Sequence, residues 1–309
     1  MPFSNKGVNL KLKILVTGAS GLLGSKVVQE LQLEGHQVIP TSHSKSLYPT
    51  SIILDITQNK DVYELITKTK PNIIVHAAAE TKVDLCEKQP EYAHKVNVQG
   101  TRNIAKACQK AETKLIYIST DYVFNGETGN YIEEDKTNPI NTYGLTKLQG
   151  ERETKNNCKN YLILRTSVNF GWHQHKPNFA TWIIASLRQG KTINVVTDHY
   201  NTPTLTDNLA QVIVETIEKD VTGVYHTSGS ERISRYNFAR KIAEIFNLNP
   251  KLIKLIKMKD LETSGIWLAK RPADSSLSIF KIQNVISTKI LNVEKALKIM
   301  KRQKAQLHT

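Results

Sequence analysis

The sequence predicts an α/β protein built on a doubly wound parallel sheet, with a smaller mixed α/β lobe beside it. Three observations carry this. The glycine-rich stretch TGASGLLG, residues 17–24, lies between a short apolar run (Ile14, Leu15, Val16) and Leu22, Leu23, Val27, Val28 and Leu31, spaced as one apolar helix face. Short apolar runs and helical patterns then alternate up to about residue 168, which builds parallel sheets. Beyond that point short strands and amphipathic helices follow one another in a different rhythm.

Each element of the first part suggests a role. A glycine loop between a strand and a helix is the phosphate-binding turn of a Rossmann fold. Gly18 permits the tight turn, Gly21 the approach of a pyrophosphate, and Gly24 close helix packing. The amides around Ser20, Leu22 and Leu23 then face the phosphates at the positive end of the helix dipole. Residues 36–40 read as the second strand. No acid occurs between Glu34 and Asp55. Ser42, His43 and Lys45 at the strand end suit a 2′-phosphate better than a bare ribose, so the cofactor expected is NADPH rather than NADH. Residues 51–54 form a third strand, with Asp55 and Ile56 flanking the adenine. A helix over 60–69 leads to a fourth strand at 73–75. Ala77, Ala78 and Ala79 after it let backbone lie against a flat cofactor.

Residues 90–110 read as one long helix carrying Asn97, either a surface residue or a polar anchor under the site. The fifth strand, 114–118, ends in Ser119, Thr120, Asp121 and Tyr122. These border the site, because ligands of such sheets bind beyond the carboxyl ends of the strands. Tyr143 and Lys147 open the next helix four residues apart, on one face. An ammonium beside the phenol would lower its pKa, making Tyr143 a candidate proton donor to a carbonyl.

Composition bounds the rest. The chain has 309 residues with 39% hydrophobic side chains, enough for a substantial core. Its 42 basic and 28 acidic residues leave a net charge of +14. This charge suits anionic ligands or a lysine-rich solvated surface. The basic residues are scattered without interleaved aromatics, which argues against nucleic acid. Cys86, Cys108 and Cys158 form no CxxC pair, as in a reducing cytosol. The N-terminus lacks a signal-peptide core, and no apolar run spans a bilayer, so a cytoplasmic protein without membrane attachment is expected. His173 and His175 lack a nearby third ligand, so no metal site is expected.

TGASGLLG, HAAA, STDYVF and YGLTK resemble the extended short-chain dehydrogenases/reductases. The closer resemblance is to the dTDP-4-dehydrorhamnose reductases. It rests on Thr81, Val83 and Asp84, on residues 119–126 and 139–151, and on downstream stretches at 196–198, 203–204, 225–229 and 271–277. The resemblance implies a triad of Thr120, Tyr143 and Lys147. Tyr143 would protonate the C4 carbonyl oxygen of a nucleotide sugar while NADPH delivers hydride. Thr120 would bind the same oxygen, Lys147 would hold the nicotinamide ribose, and Asn97 would act near Lys147. Thr81, Asp84, Thr120, Asp121, Tyr122, Trp172, Asn178 and Arg271 are the candidate substrate contacts. For Trp172 a core or lid role is the alternative, and for Arg271 a surface salt bridge.

Two positions depart from the reductase pattern: Leu22 replaces a glutamine and Glu80 an aromatic. In both the chain resembles the regulatory beta subunit of methionine adenosyltransferase, a relative that binds NADP but serves a partner enzyme. An epimerase or dehydratase of sugar nucleotides is a further alternative, disfavoured because Tyr122 follows Asp121. A homodimer is left open. The domain division expected is 1–168 for the cofactor, with return segments near 193–226 and 273–286. Residues 169–192 and 227–309 then make most of the substrate lobe.

Overall fold

The computed structural model describes residues 11–44 and 47–306, with side chains as far as residue 303. Seven strands form the main sheet: β1 (Lys13–Thr17), β2 (Gln37–Ser42), β3 (Ile52–Ile53), β4 (Ile73–His76), β5 (Lys114–Thr120), β6 (Tyr161–Thr166) and β7 (Gly223–His226). Their spatial order is β7-β6-β5-β4-β1-β2-β3, and every neighbouring pair is parallel. Parallel strands are covered on both faces, so their sequences are continuous apolar runs rather than alternating ones. Helices α1 (Leu22–Leu33), α2 (Asn59–Thr69), α3 (Thr101–Lys110), α4 (Thr142–Asn157) and α5 (Thr206–Glu218) supply the cover. Val27, Val28 and Leu31 of α1 join Leu209, Ile213 and Ile217 of α5 on one side. Val62 and Ile66 of α2 join Ile104 and Cys108 of α3 on the other.

The strand order reverses between β1 and β4, which opens a crevice beyond their carboxyl ends. Thr17 and His76 face each other there in register. Thr17 Oγ1 and His76 Nδ1 are 2.7 Å apart, and His76 Nε2 lies 3.1 Å from Thr101 Oγ1. Burial, aided by the nearby Lys147 charge, holds the His76 pKa down at about 3, so the ring stays neutral at the floor of the crevice.

The structure corrects the sequence reading in two places. The single helix expected over 90–110 is interrupted. Pro90–His94 and α3 flank a widened π turn at Lys95–Gly100. The wider turn buries Asn97 and brings Gly100 against Ile56, where a Cβ would sit 2.7 Å from Ile56 Cδ1. The strand at Ile193–Val196 does not return to the main sheet. It pairs in parallel with the strand Ile253–Ile256. Its buried Ile193 and Val195 belong to the second core, with Phe170, Ile183, Phe238, Ile242 and Leu297. The later part of that return segment, α5 and β7, does rejoin the sheet, and Ile279, Ile282 and Ile286 pack on Val212 of α5.

A buried ion pair fastens α4 to the sheet. Arg165 Nε donates to Glu151 Oε1 at 2.9 Å and its Nη2 to Oε2 at 2.8 Å, with both side chains withdrawn from solvent. Ser119 Oγ donates to the same carboxylate at 2.6 Å. Removing one member leaves a buried charge unpaired, whereas replacing both by apolar groups does not. Glu151→Ala should therefore cost about 3–5 kcal/mol in guanidinium melts. The double variant Glu151→Leu, Arg165→Met should recover most of that loss, and equal destabilisation of the two would contradict this account.

Candidate active site

The crevice between β1 and β4 continues into a cleft of about 360 Å³. Its wall contains Gly18, Ser20, Gly21, Ser42, His43, Asp55, Ile56, Ala77, Ala78 and Ala79, ten of the positions read from the sequence as cofactor contacts. Lys45 lies outside the described residues. Gly18 has φ +68° and sits so close to residues 77–78 that a Cβ would lie 2.8 Å from Ala78 N. Only glycine combines that backbone with that approach. Ala19 N donates to Thr41 O at 2.9 Å, tying the loop to the end of β2. Gly21 is the N-cap of α1 and no side chain caps the helix, so the helix start is presented through backbone alone. Leu22 and Leu23 form its first turn, and the Leu23 side chain is in the core. Asp55 is partly buried, which raises its pKa. Hydrogen bonds from Thr57, including its N–H to Oδ1 at 2.9 Å, outweigh that and hold it below the usual range. An elongated cleft with an uncapped helix start at one end and small residues along one wall fits a dinucleotide.

Thr120, Tyr143 and Lys147 meet at the carboxyl end of β5. The amino end of α4 is held there by Asn141, whose side chain accepts from Gly144 N at 2.8 Å. Gly144 lets the helix rest on the turn after β5, since a Cβ would fall 2.1 Å from Tyr122 O. Thr120 Oγ1 donates to Asp121 Oδ1 at 3.0 Å, accepts from Tyr122 N at 3.2 Å, and also hydrogen-bonds the Tyr143 hydroxyl. Burial raises the Tyr143 pKa above the ordinary tyrosine value, partly offset by the Thr120 bond. The phenol is therefore protonated at neutral pH. Lys147 is not what acts on it here. Its Nζ donates to Ile118 O at 2.7 Å and lies 4.1 Å from the centre of the Tyr117 ring. Burial lowers the Lys147 pKa to about 7, against the opposing pull of Glu151. The expected depression of the phenol by Lys147 gives way to desolvation of both groups.

The remaining candidates divide sharply. Asn97 does not face the cleft. It holds the backbone of Glu80 at both ends, accepting from its N–H at 2.9 Å and donating to its carbonyl at 3.1 Å, and it donates to Thr146 Oγ1 at 3.1 Å. Asp84 and Arg271 bind each other at 2.6 Å, and Asp84 Oδ1 also accepts from Leu268 N and Ala269 N. Arg271 thus forms a salt bridge in this structure. Its partner lies 187 positions away in the chain. Asp121 is an internal anchor: Oδ2 accepts from Ser167 at 2.8 Å and from Ser275 at 2.5 Å. Burial raises its pKa despite these bonds. Tyr122 is buried edge-on to Tyr143, ring centres 5.8 Å apart. Trp172 belongs to the second core, donating from Nε1 to Met300 O at 2.6 Å and meeting the Phe246 ring edge-on. Asn178 caps the helix Phe179–Arg188 through a capping box. Thr81 is exposed beyond the cleft wall.

Sequence reasoning missed Tyr92, Lys95 and Val96, which line the cleft from across the alanines. Their spacing of three and four on the 90–110 helix was a readable signal of a shared face. Arg235 was also missed. It is partly buried, hydrogen-bonds Tyr122 and lies near the Asp121 charge. Lys176 lines the cleft from a loop of the second lobe, and no local pattern announces it.

A family profile described as the RmlD substrate binding domain matches residues 12–305. The chain is 35% identical, over 87% of its length and 90% of the relative's, to the probable low-salt glycan biosynthesis reductase Agl14 of Haloferax volcanii. It is 31% identical, over 88% of its length and 82% of the relative's, to methionine adenosyltransferase 2 subunit beta of Xenopus tropicalis. The crystal structure of dTDP-4-dehydrorhamnose reductase from Bacillus anthracis in complex with NADP superposes with a TM-score of 0.87 at 31% identity, covering 95% of this chain and all of that one. With its cleft at the strand-order reversal and a Thr-Tyr-Lys cluster beyond β5, the chain belongs to the RmlD substrate binding domain family.

Proposed function

We infer that this protein reduces the C4 ketone of a nucleotide-linked 4-keto sugar with NADPH, dTDP-4-dehydrorhamnose being the first substrate to try. The observation that carries the reading is the meeting of Thr120, Tyr143 and Lys147 beyond β5, beside a cleft shaped for a dinucleotide. The similarity to the Bacillus anthracis dTDP-4-dehydrorhamnose reductase, whose structure holds NADP, supports it. Gly18, Ser20, Gly21 and the backbone of Leu22 would hold the pyrophosphate, Ser42 and His43 the 2′-phosphate, and the alanines the nicotinamide side. The cofactor supplies hydride to the carbonyl carbon.

The protein's own residues supply the proton and its placement. Tyr143, protonated at neutral pH, gives its hydroxyl hydrogen to the ketone oxygen as that oxygen gains charge. Thr120 hydrogen-bonds the Tyr143 hydroxyl as well as Asp121 and so fixes the phenol in place. Asp121 acts through Thr120 and is a positioning residue. Lys147 is poised to charge when anionic groups enter, because burial has brought its pKa close to neutrality. Three buried unpaired thiols are in keeping with a reaction carried out in the cytosol.

A second reading, a cofactor-binding regulatory subunit, is favoured by the methionine adenosyltransferase relative and by Leu22 and Glu80. NADPH oxidation with a panel of 4-keto sugar nucleotides decides between them. Turnover establishes the reductase, and NADPH binding without turnover establishes the regulator.

Tyr143→Phe should lower kcat by about 10²- to 10⁴-fold with little change in NADPH affinity. Equal turnover would refute the proton-donor assignment. Fluorescence titration should show tighter binding of NADPH than NADH. Binding of the anionic cofactor should raise the Lys147 pKa from about 7. Affinity is then greatest below that pH and falls as pH rises towards the bound-state value, by at most about tenfold per pH unit. Lys147→Met should flatten this profile, and an unchanged slope would show that Lys147 is not the titrating group.

A further inference from the structure

The loop after Trp172 carries two histidines, His173 and His175, and has no role in the chemistry above. Its base is pinned on both sides. Trp172 is anchored to Met300, and Asn178 Nδ2 donates to Gly171 O at 2.8 Å while its oxygen caps the following helix. Within the loop, His173 Nδ1 accepts from the N–H groups of both His175 and Lys176, at 3.0 and 2.9 Å. A ring nitrogen that accepts two amides carries no proton, so the imidazole is neutral with hydrogen on Nε2. That Nε2 is shut away from solvent beside the backbone of Ser20 in the glycine loop. His173 thus holds a tight turn against the phosphate-binding loop, and the turn carries Lys176 into the wall of the cleft.

We propose that Lys176 is a pyrophosphate-binding residue contributed by the second lobe, and that His173 is the positioning residue that delivers it. The inference rests on the dinucleotide reading of the cleft. A lysine is a mobile point charge, and its benefit to a phosphate depends on how well its backbone is placed. The turn at His173 supplies that placement. It also lets one lobe contribute to a site otherwise built by the other, so the dinucleotide would join the lobes when it binds. The contact of the turn with Ser20, made by His173, is what assigns Lys176 to the pyrophosphate rather than to the 2′-phosphate.

The test is fluorescence titration of NADPH and NADH, with circular dichroism and thermal melts as a check on folding. Lys176→Met should weaken both dinucleotides by about tenfold, the size of one charge-assisted contact, and should reduce the salt dependence of binding. His173→Ala should weaken both by a similar factor, and the double variant no further, because the two residues act as one unit. His173→Asn should retain most of the affinity, since its side-chain oxygen accepts the same turn amides. A loss confined to NADPH would overturn the pyrophosphate assignment. Unchanged affinity in Lys176→Met would overturn the clamp, and His173→Asn as weak as His173→Ala would overturn the positioning role. Failure of the wild type to bind either dinucleotide would instead refute the functional reading on which this rests.

Discussion

The ion pair between Glu151 and Arg165 is the interaction on which the geometry of the site depends. Glu151 sits one turn beyond Lys147 on α4, and Arg165 lies in β6 beside the end of β5. The carboxylate also takes the hydroxyl of Ser119, the residue before Thr120. One buried acid therefore sets the height of α4, the end of β5 and the neighbouring strand together. Arg165 further approaches His226 of β7 at 3.4 Å, and the backbone N–H of His226 donates to Glu133. Burial holds the His226 pKa at about 3, so the charge of Arg165 faces a neutral ring. Such a network rigidifies only when every member is satisfied, because an unpaired group in that interior is costly.

Asp121 plays the matching part between the lobes. It binds Thr120 on one side and Ser167 and Ser275 on the other. Ser275 follows Asp274, which takes a hydrogen bond from Arg232. The hydroxyl that fixes Tyr143 is in this way coupled to the segment that closes the second lobe against the sheet. Asp84 and Arg271 form a comparable strap, joining the helix after β4 to residues 268–271. Glu151, Asp121 and Asp84 thus hold the frame around the reacting position.

The cleft and the proton-donating cluster differ in how they handle charge. The cleft presents helix amides, small residues and lysines from two elements, and suits an elongated anion. The cluster beyond β5 is largely withdrawn from solvent. Tyr143 and Lys147 are both pushed by burial towards their neutral forms, which suits a site where an oxygen gains charge only during the reaction. His76, neutral at the floor between them, adds no competing charge.

The sequence by itself determined the parallel sheet, the glycine loop, the alanine wall and the placing of Tyr143 and Lys147 four apart on one helix. Each is a local property: an apolar run, a positive φ, a spacing of four on one helix face. It also located the strand ends that border the site, because parallel strands always place ligands at their carboxyl ends. Tertiary structure alone decided what Asn97, Asp84, Asp121, Arg271, Trp172 and Asn178 do. Their partners lie up to 187 positions away, and periodicity carries no information across such distances. The same holds for the strand Ile193–Val196, whose apolar pattern fits either sheet and whose partner strand lies 60 positions downstream. Lys176 was hidden for a related reason: its importance comes from where a loop of one lobe meets the glycine turn of the other. The chemistry of the site was legible in short motifs, whereas the frame that holds it was set by burial and long-range pairing.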